Sequence, residues 1–145
     1  MDLTTSYPAS VRETLHGIVQ LKRTIDKGAA LAAGTIGEYH YNCPMDQHVF
    51  AFLGIDHEAL LDVIKTSSPS EVIEYVAPFV HAKSDEEIAA FNSEWLQHAP
   101  DAGSDAEKYF LQLRGEVAPD RTDVTSWADL LDLDEKRAVP QRVAA

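Results

Sequence analysis

Hydrophobic residues recur along this chain at intervals of three and four, the spacing that gathers side chains on one face of an α-helix. Val72, Ile73, Val76 and Phe79 form one such stripe, Ile88, Phe91 and Trp95 a second, and Tyr109, Phe110 and Leu113 a third. Trp127, Leu130 and Leu131 form a fourth. Shorter apolar sets, Val49–Phe50–Phe52–Leu53 and Leu60–Leu61–Ile64, predict helices over 46–53 and 57–66, the latter capped by Asp56. The pattern Ser-x-x-Glu occurs at Ser10, Ser68, Ser84 and Ser104. In this capping box the serine oxygen accepts an N–H of the first turn and the glutamate reaches back to the cap N–H. Pro69 follows Ser68 at the helical position that best tolerates proline. Pro78 is expected to end or kink its helix near Ala77.

These signals predict a mainly all-α protein, a single compact domain of six to seven helices. Residues 1–9 read as an extended lead-in, 10–135 as the helical domain and 136–145 as a flexible tail. The first helix is expected over 11–33, with Ile18, Leu21, Ile25, Ala29 and Ala32 as its apolar stripe and Gly34 as its C-cap. Glu38-Tyr39-His40-Tyr41-Asn42 then alternates in character, which predicts one short extended segment near 38–43. Alternation would send Glu38, His40 and Asn42 to one side and Tyr39, Tyr41 and Cys43 to the other. Cys43-Pro44 closes it, since a residue before proline is pushed away from helix.

Composition narrows the function classes. The chain has 145 residues, 45% of them hydrophobic and 25% charged, enough to bury a core without disulfides or a structural metal. Its one cysteine excludes an intramolecular disulfide and fits a reducing compartment. No signal-type leader and no apolar run of membrane-spanning length are present, so the expectation is a cytoplasmic protein without a membrane partner. The net charge is −12. Residues 1–40 sum to zero, which leaves the acidic excess in 41–145. An acidic body repels phosphate backbones and argues against nucleic acid as a partner; the simplest role of the charge is solubility.

Candidate chemistry concentrates between Arg23 and Leu53. Arg23, Asp26 and Lys27 lie at helical spacing and read either as an ion-paired face or as an anion site facing the polar cluster. Cys43 is a candidate nucleophile if a cation, an imidazolium or a helix N-terminus lowers its pKa; otherwise it is a buried structural cysteine. Glu38, His40 and Tyr41 are candidates for proton transfer. Glu38, His40, Cys43, Asp46, His48 and His57 are all metal-ligand types, yet their spacing matches no zinc motif, and no metal or cofactor is assigned. Trp95 and Trp127 read as core before ligand platforms.

The runs Ile25-Asp26-Lys27, Gly34-Thr35-Ile36-Gly37-Glu38-Tyr39-x-Tyr41-Asn42-Cys43-Pro44-x-Asp46 and Phe52-Leu53-Gly54-Ile55-Asp56 resemble the signature of an uncharacterised bacterial domain family, a domain of unknown function. A second block, Ala118-Pro119-Asp120-Arg121-Thr122-Asp123 with Trp127 and Leu130-Leu131-Asp132 after it, resembles the same family. The resemblance implies no activity. It marks Asp26, Lys27, Glu38, Tyr39, Tyr41, Asn42, Cys43, Asp46, Arg121, Asp123 and Trp127 as motif positions. The chain departs from the pattern at Gly28-Ala29, where a larger residue and then an arginine are usual.

Two functions are compatible with these features. One is an enzyme or binding protein for a small anionic molecule. Its catalytic candidates are Glu38, His40, Tyr41 and Cys43; its substrate-binding candidates are Arg23, Asp26, Lys27, Tyr39, Asn42, Asp46, Arg121 and Trp127. The other is a non-catalytic interaction module whose polar motif is a structural hydrogen-bond network and whose acidic helices meet a basic partner or a second copy of the chain.

Overall fold

The computed structural model describes residues 1–142. Seven helices succeed one another among them: α1 (Leu21–Ala33), α2 (Pro44–Leu53), α3 (His57–Thr66), α4 (Pro69–His81), α5 (Asp85–Leu96), α6 (Asp105–Val117) and α7 (Trp127–Asp134). The described residues form no sheet; an isolated bridge joins Leu15 and Ile18. None of these helices is long and apolar enough to cross a membrane. Packing divides the chain into two units, Met1–Asn92 and Ser93–Ala145.

Three of the four capping boxes open helices. At Ser68 and Ser84 the exchange is reciprocal: each serine oxygen accepts the N–H three residues on, at 3.3 and 3.1 Å, and the glutamate accepts the serine N–H at 3.0 Å. Ser104 accepts from Glu107 at 3.1 Å, while Glu107 takes the N–H of Gly103 instead. Ser10 is the exception. Its hydroxyl accepts from Arg12, a turn rather than a cap, and the Glu13 carboxylate pairs with Lys22 at 2.8 Å. The helix expected from Val11 therefore begins only at Leu21. His16 and Gly17 take left-handed φ values of 52° and 84° to make the tight turn between Leu15 and Ile18, and Gln20 (φ 72°) redirects the chain into α1. Asn92 clasps that turn, donating to the Gly17 carbonyl at 2.9 Å and accepting from Val19 at 3.1 Å.

In the first unit, Val11, Ile18, Leu21, Ala30, Val49, Leu60, Val76 and Val80 lose all solvent exposure. Helix α1 packs against α2 and α3, and α3 against α4. Pro78 sits inside α4 without ending it. Ile73, expected inward, is exposed, because the buried stripe of α4 runs Val72–Val76–Val80. The lead-in is anchored by Leu3, which is buried and donates its N–H to the Thr35 carbonyl at 2.8 Å. Gly37 (φ 63°) permits this approach: a Cβ there would stand 3.0 Å from the Leu3 carbonyl oxygen.

In the second unit, Phe110, Val124 and Leu130 form the core, with Leu113, Trp127 and Leu133 packed against it. Tyr109, expected inward with Phe110, is exposed. The segment after Lys136, expected to have little to bury, covers Val139 and bonds Arg142 to Asp123 and Asp129. Residues 143–145 of the expected tail lie outside the described residues.

Gly28 sets the separation of α1 and α3. A Cβ on it would meet Ile64 Cδ1 at 2.7 Å and Tyr41 Cε1 at 3.0 Å. The isoleucine tip can swing aside. The tyrosine ring is pinned by its hydroxyl, which donates to the His57 carbonyl at 2.8 Å. Gly28→Ala is expected to lower stability by about 1 kcal/mol, overpacking outweighing the helix propensity gained. Chemical denaturation of Gly28→Ala with and without Tyr41→Phe checks this: the loss should shrink once the ring is released.

Candidate functional site

The site residues on α1 divide between two tasks. Arg23 and Asp26 grip a single residue of the lead-in: Arg23 Nη1 donates to the Ala9 carbonyl at 3.1 Å, and Ala9 N–H donates to Asp26 Oδ2 at 2.9 Å. Arg23 is buried, with its guanidinium 5.7 Å over the Tyr39 ring. Burial raises the Asp26 pKa above the ordinary carboxylate value, although the Ala9 N–H and Lys22 act to lower it.

Lys27 points elsewhere. It shares a helical stripe with Gln20 and Thr24, and all three converge on Asp46 in the first turn of α2. Asp46 Oδ1 accepts from Thr24 Oγ1 at 2.5 Å and from Gln20 Nε2 at 3.1 Å. Oδ2 pairs with Lys27 Nζ at 2.8 Å and accepts the Cys43 N–H at 3.3 Å. The Lys27 ammonium also donates to the His40 carbonyl at 3.0 Å and contacts Cys43 Sγ at 3.2 Å. The lysine and aspartate side chains retain 5% and 0% of their exposure. Four acceptor directions on the carboxylate and three ammonium protons are thereby matched inside the protein. No buried side-chain nitrogen or oxygen among the described residues lacks a hydrogen-bond partner.

The segment between the helices is a series of turns. Glu38 and His40 are exposed and Tyr39, Tyr41 and Cys43 half-buried, but Asn42, expected on the side of Glu38 and His40, is half-buried too, and turns stand where an extended segment was expected. Asn42 takes a left-handed φ of 62° and its carbonyl accepts from Gln47 at 2.9 Å. Cys43 is the N-cap of α2, which starts at Pro44, a start the sequence allows alongside Asp46. Tyr41 crosses Phe50 edge-on at 6.0 Å; burial, reinforced by Asp46 and Asp56, pushes its hydroxyl pKa well above the usual phenol value. It is therefore a fixed hydrogen-bond donor near neutral pH. No group of three or more metal-ligand side chains gathers among the described residues.

Arg121 and Trp127 belong to the second unit. Arg121 forks onto Asp123 at 3.0 and 3.1 Å, and Trp127 packs edge-on against Phe110 at 5.0 Å. Gln20 and Thr24 are not singled out by the sequence reading, although their i, i+4, i+7 spacing with Lys27 places all three on one face.

Breaking the buried pair from one side leaves an uncompensated charge. Lys27→Met and Asp46→Leu are each expected to cost about 3–5 kcal/mol, and the double variant Lys27→Met/Asp46→Leu less than their sum. Urea unfolding of the three variants measures this. Asp26 gives a prediction of opposite sign. Its folded pKa is raised, so its contribution to stability is full below the unfolded value and is lost as pH rises through the folded one. Asp26→Asn keeps an acceptor for Ala9 and removes the buried charge. Relative to wild type it should be more stable at pH 7 than at pH 4, read from unfolding midpoints at both.

A comparison with curated proteins finds no match. The family comparison matches residues 5–137, almost the whole chain and both motif blocks, to a domain of unknown function. The chain therefore belongs to the family described as Domain of unknown function (DUF5069).

Proposed function

We propose that this protein is a non-catalytic interaction module whose first motif is a structural hydrogen-bond network and whose acidic helices meet a basic partner. The observation that carries this reading is the engagement of Lys27. Each of its ammonium protons already has a partner, in Asp46, the His40 carbonyl and Cys43 Sγ. To bind an anionic substrate, Lys27 would have to leave Asp46 charged and buried, a substitution that low polarity makes costly. Arg23 and Asp26 are likewise turned to the lead-in backbone. These groups fix the positions of α1, α2 and the lead-in relative to one another.

The partner's character comes from the remaining charge. In the first unit, residues 54–92 hold eight carboxylates against two lysines, all eight exposed; in the second, residues 93–117 hold five against one lysine and one arginine, four of them exposed. Such a surface attracts a basic protein by forces that salt screens, the Debye length falling from about 10 Å at 0.1 M to about 3 Å at 1 M. The test is co-purification with the full chain at low and high salt, with retained proteins identified by mass spectrometry. The expected result is a net-basic partner retained at low ionic strength and released at high. A monodisperse monomer that retains none would overturn the reading.

A further inference from the structure

The second motif block holds something with more chemical definition than a surface. Within the second unit, Arg121 donates from Nη1 to the Val139 carbonyl and from Nη2 to the Pro140 carbonyl, both at 2.9 Å. Asp123, oriented by the Arg121 fork, accepts the backbone N–H of Arg142 at 2.7 Å. The Arg142 guanidinium lies in two-pronged contact with Asp129, its Nε and Nη2 each 2.9 Å from a carboxylate oxygen. Asp129 is almost fully buried in the first turn of α7, whereas the Arg142 side chain keeps 39% of its exposure.

Residues 139–142 form no regular secondary structure, and the block handles them as a bound peptide is handled. Two carbonyls and one N–H are read from the main chain, which any extended segment offers. One guanidinium is read by a buried carboxylate, which only arginine satisfies in this forked geometry. Val139 is buried between the polar contacts. The acceptor is an acidic protein and the feature it selects is cationic.

We infer that Arg121, Asp123 and Asp129 form a cradle for an extended, arginine-bearing segment of a basic partner protein, which the chain's own residues 139–142 occupy as an autoinhibitory strap. This rests on the interaction reading and names the segment of the partner that is recognised. Tethering gives the strap a high effective concentration, so a partner competes only when it brings further contacts of its own.

The test uses the full chain carrying Arg142→Ala, which empties the guanidinium position, so that the peptide competes only with the strap's main-chain contacts and Val139. The probe is a capped synthetic peptide with the sequence of residues 137–142, RAVPQR, titrated calorimetrically. The variant should bind it saturably, and wild type about thirtyfold more weakly or not at all. A peptide with its last arginine replaced by alanine should lose about thirtyfold, as should adding Asp129→Asn to the variant. Arg142→Lys keeps the charge but not the fork, and should fall between wild type and Arg142→Ala. It serves as the receptor should Arg142→Ala fail to fold. No binding to a folded variant, or equal binding of both peptides, overturns the cradle. Sedimentation of wild type as a strap-exchanged dimer assigns it to a second copy and overturns a separate partner. If the titration fails while a salt-sensitive partner still co-purifies, only the cradle falls; if both fail, the interaction reading falls with it.

Discussion

The arrangement of the first unit depends on the ion pair between Lys27 and Asp46. Removing a lysine and an aspartate from water costs several kcal/mol per ion, and attraction at 2.8 Å offsets that only where the remaining polar valences are filled. Here they are filled by groups far apart in sequence: Gln20 and Thr24 at the start and within the first turn of α1, the Cys43 N–H at the cap of α2, and the His40 carbonyl from the loop between. A shift of α2 along α1 would break several of these at once. The pair therefore contributes less to net stability than to register, because competing packings would bury an unmatched charge. It also accounts for the irregular loop over 35–43, whose turns aim the His40 carbonyl and Cys43 at one ammonium.

The same physical device recurs elsewhere, with the chain's own backbone as its target. Arg23 and Asp26 take the carbonyl and the N–H of Ala9; Arg121 and Asp123 take two carbonyls and an N–H from the C-terminal segment. Each fastens an extended stretch that has no helix of its own to satisfy its polar groups. Arg23, Asp26, Arg121 and Asp123 thus each reach main-chain groups, as Lys27 does through the His40 carbonyl.

The helices are legible where local chemistry decides them. Ser68, Ser84 and Ser104 mark their helix starts to within a residue, since capping needs only the first turn. Ser10 carries the same pattern without a helix, because the path of residues 11–20 is decided by a turn at His16-Gly17 and by burial of Val11 and Ile18. The buried face of α1 departs from expectation for a related reason. Apolar periodicity favours Ile25, Ala29 and Ala32, but Thr24 and Lys27 are the more buried, and a polar residue enters the core only when a partner distant in sequence is waiting for it. That partner, Asp46, is recognisable as a motif position, yet nothing local tells which of Arg23, Asp26 or Lys27 it will meet.

Cys43 shows how far residue type is from role. Its sequence context puts it near cations and at a helix start, both of which activate thiols, and both features are present: Lys27 Nζ stands 3.2 Å from its sulfur and α2 begins at the next residue. Yet that ammonium is simultaneously 2.8 Å from a carboxylate that shares its charge. The cysteine's more evident contribution is geometric: as the residue before Pro44 it is held extended, and its N–H is thereby turned onto Asp46, which completes the carboxylate's set of donors.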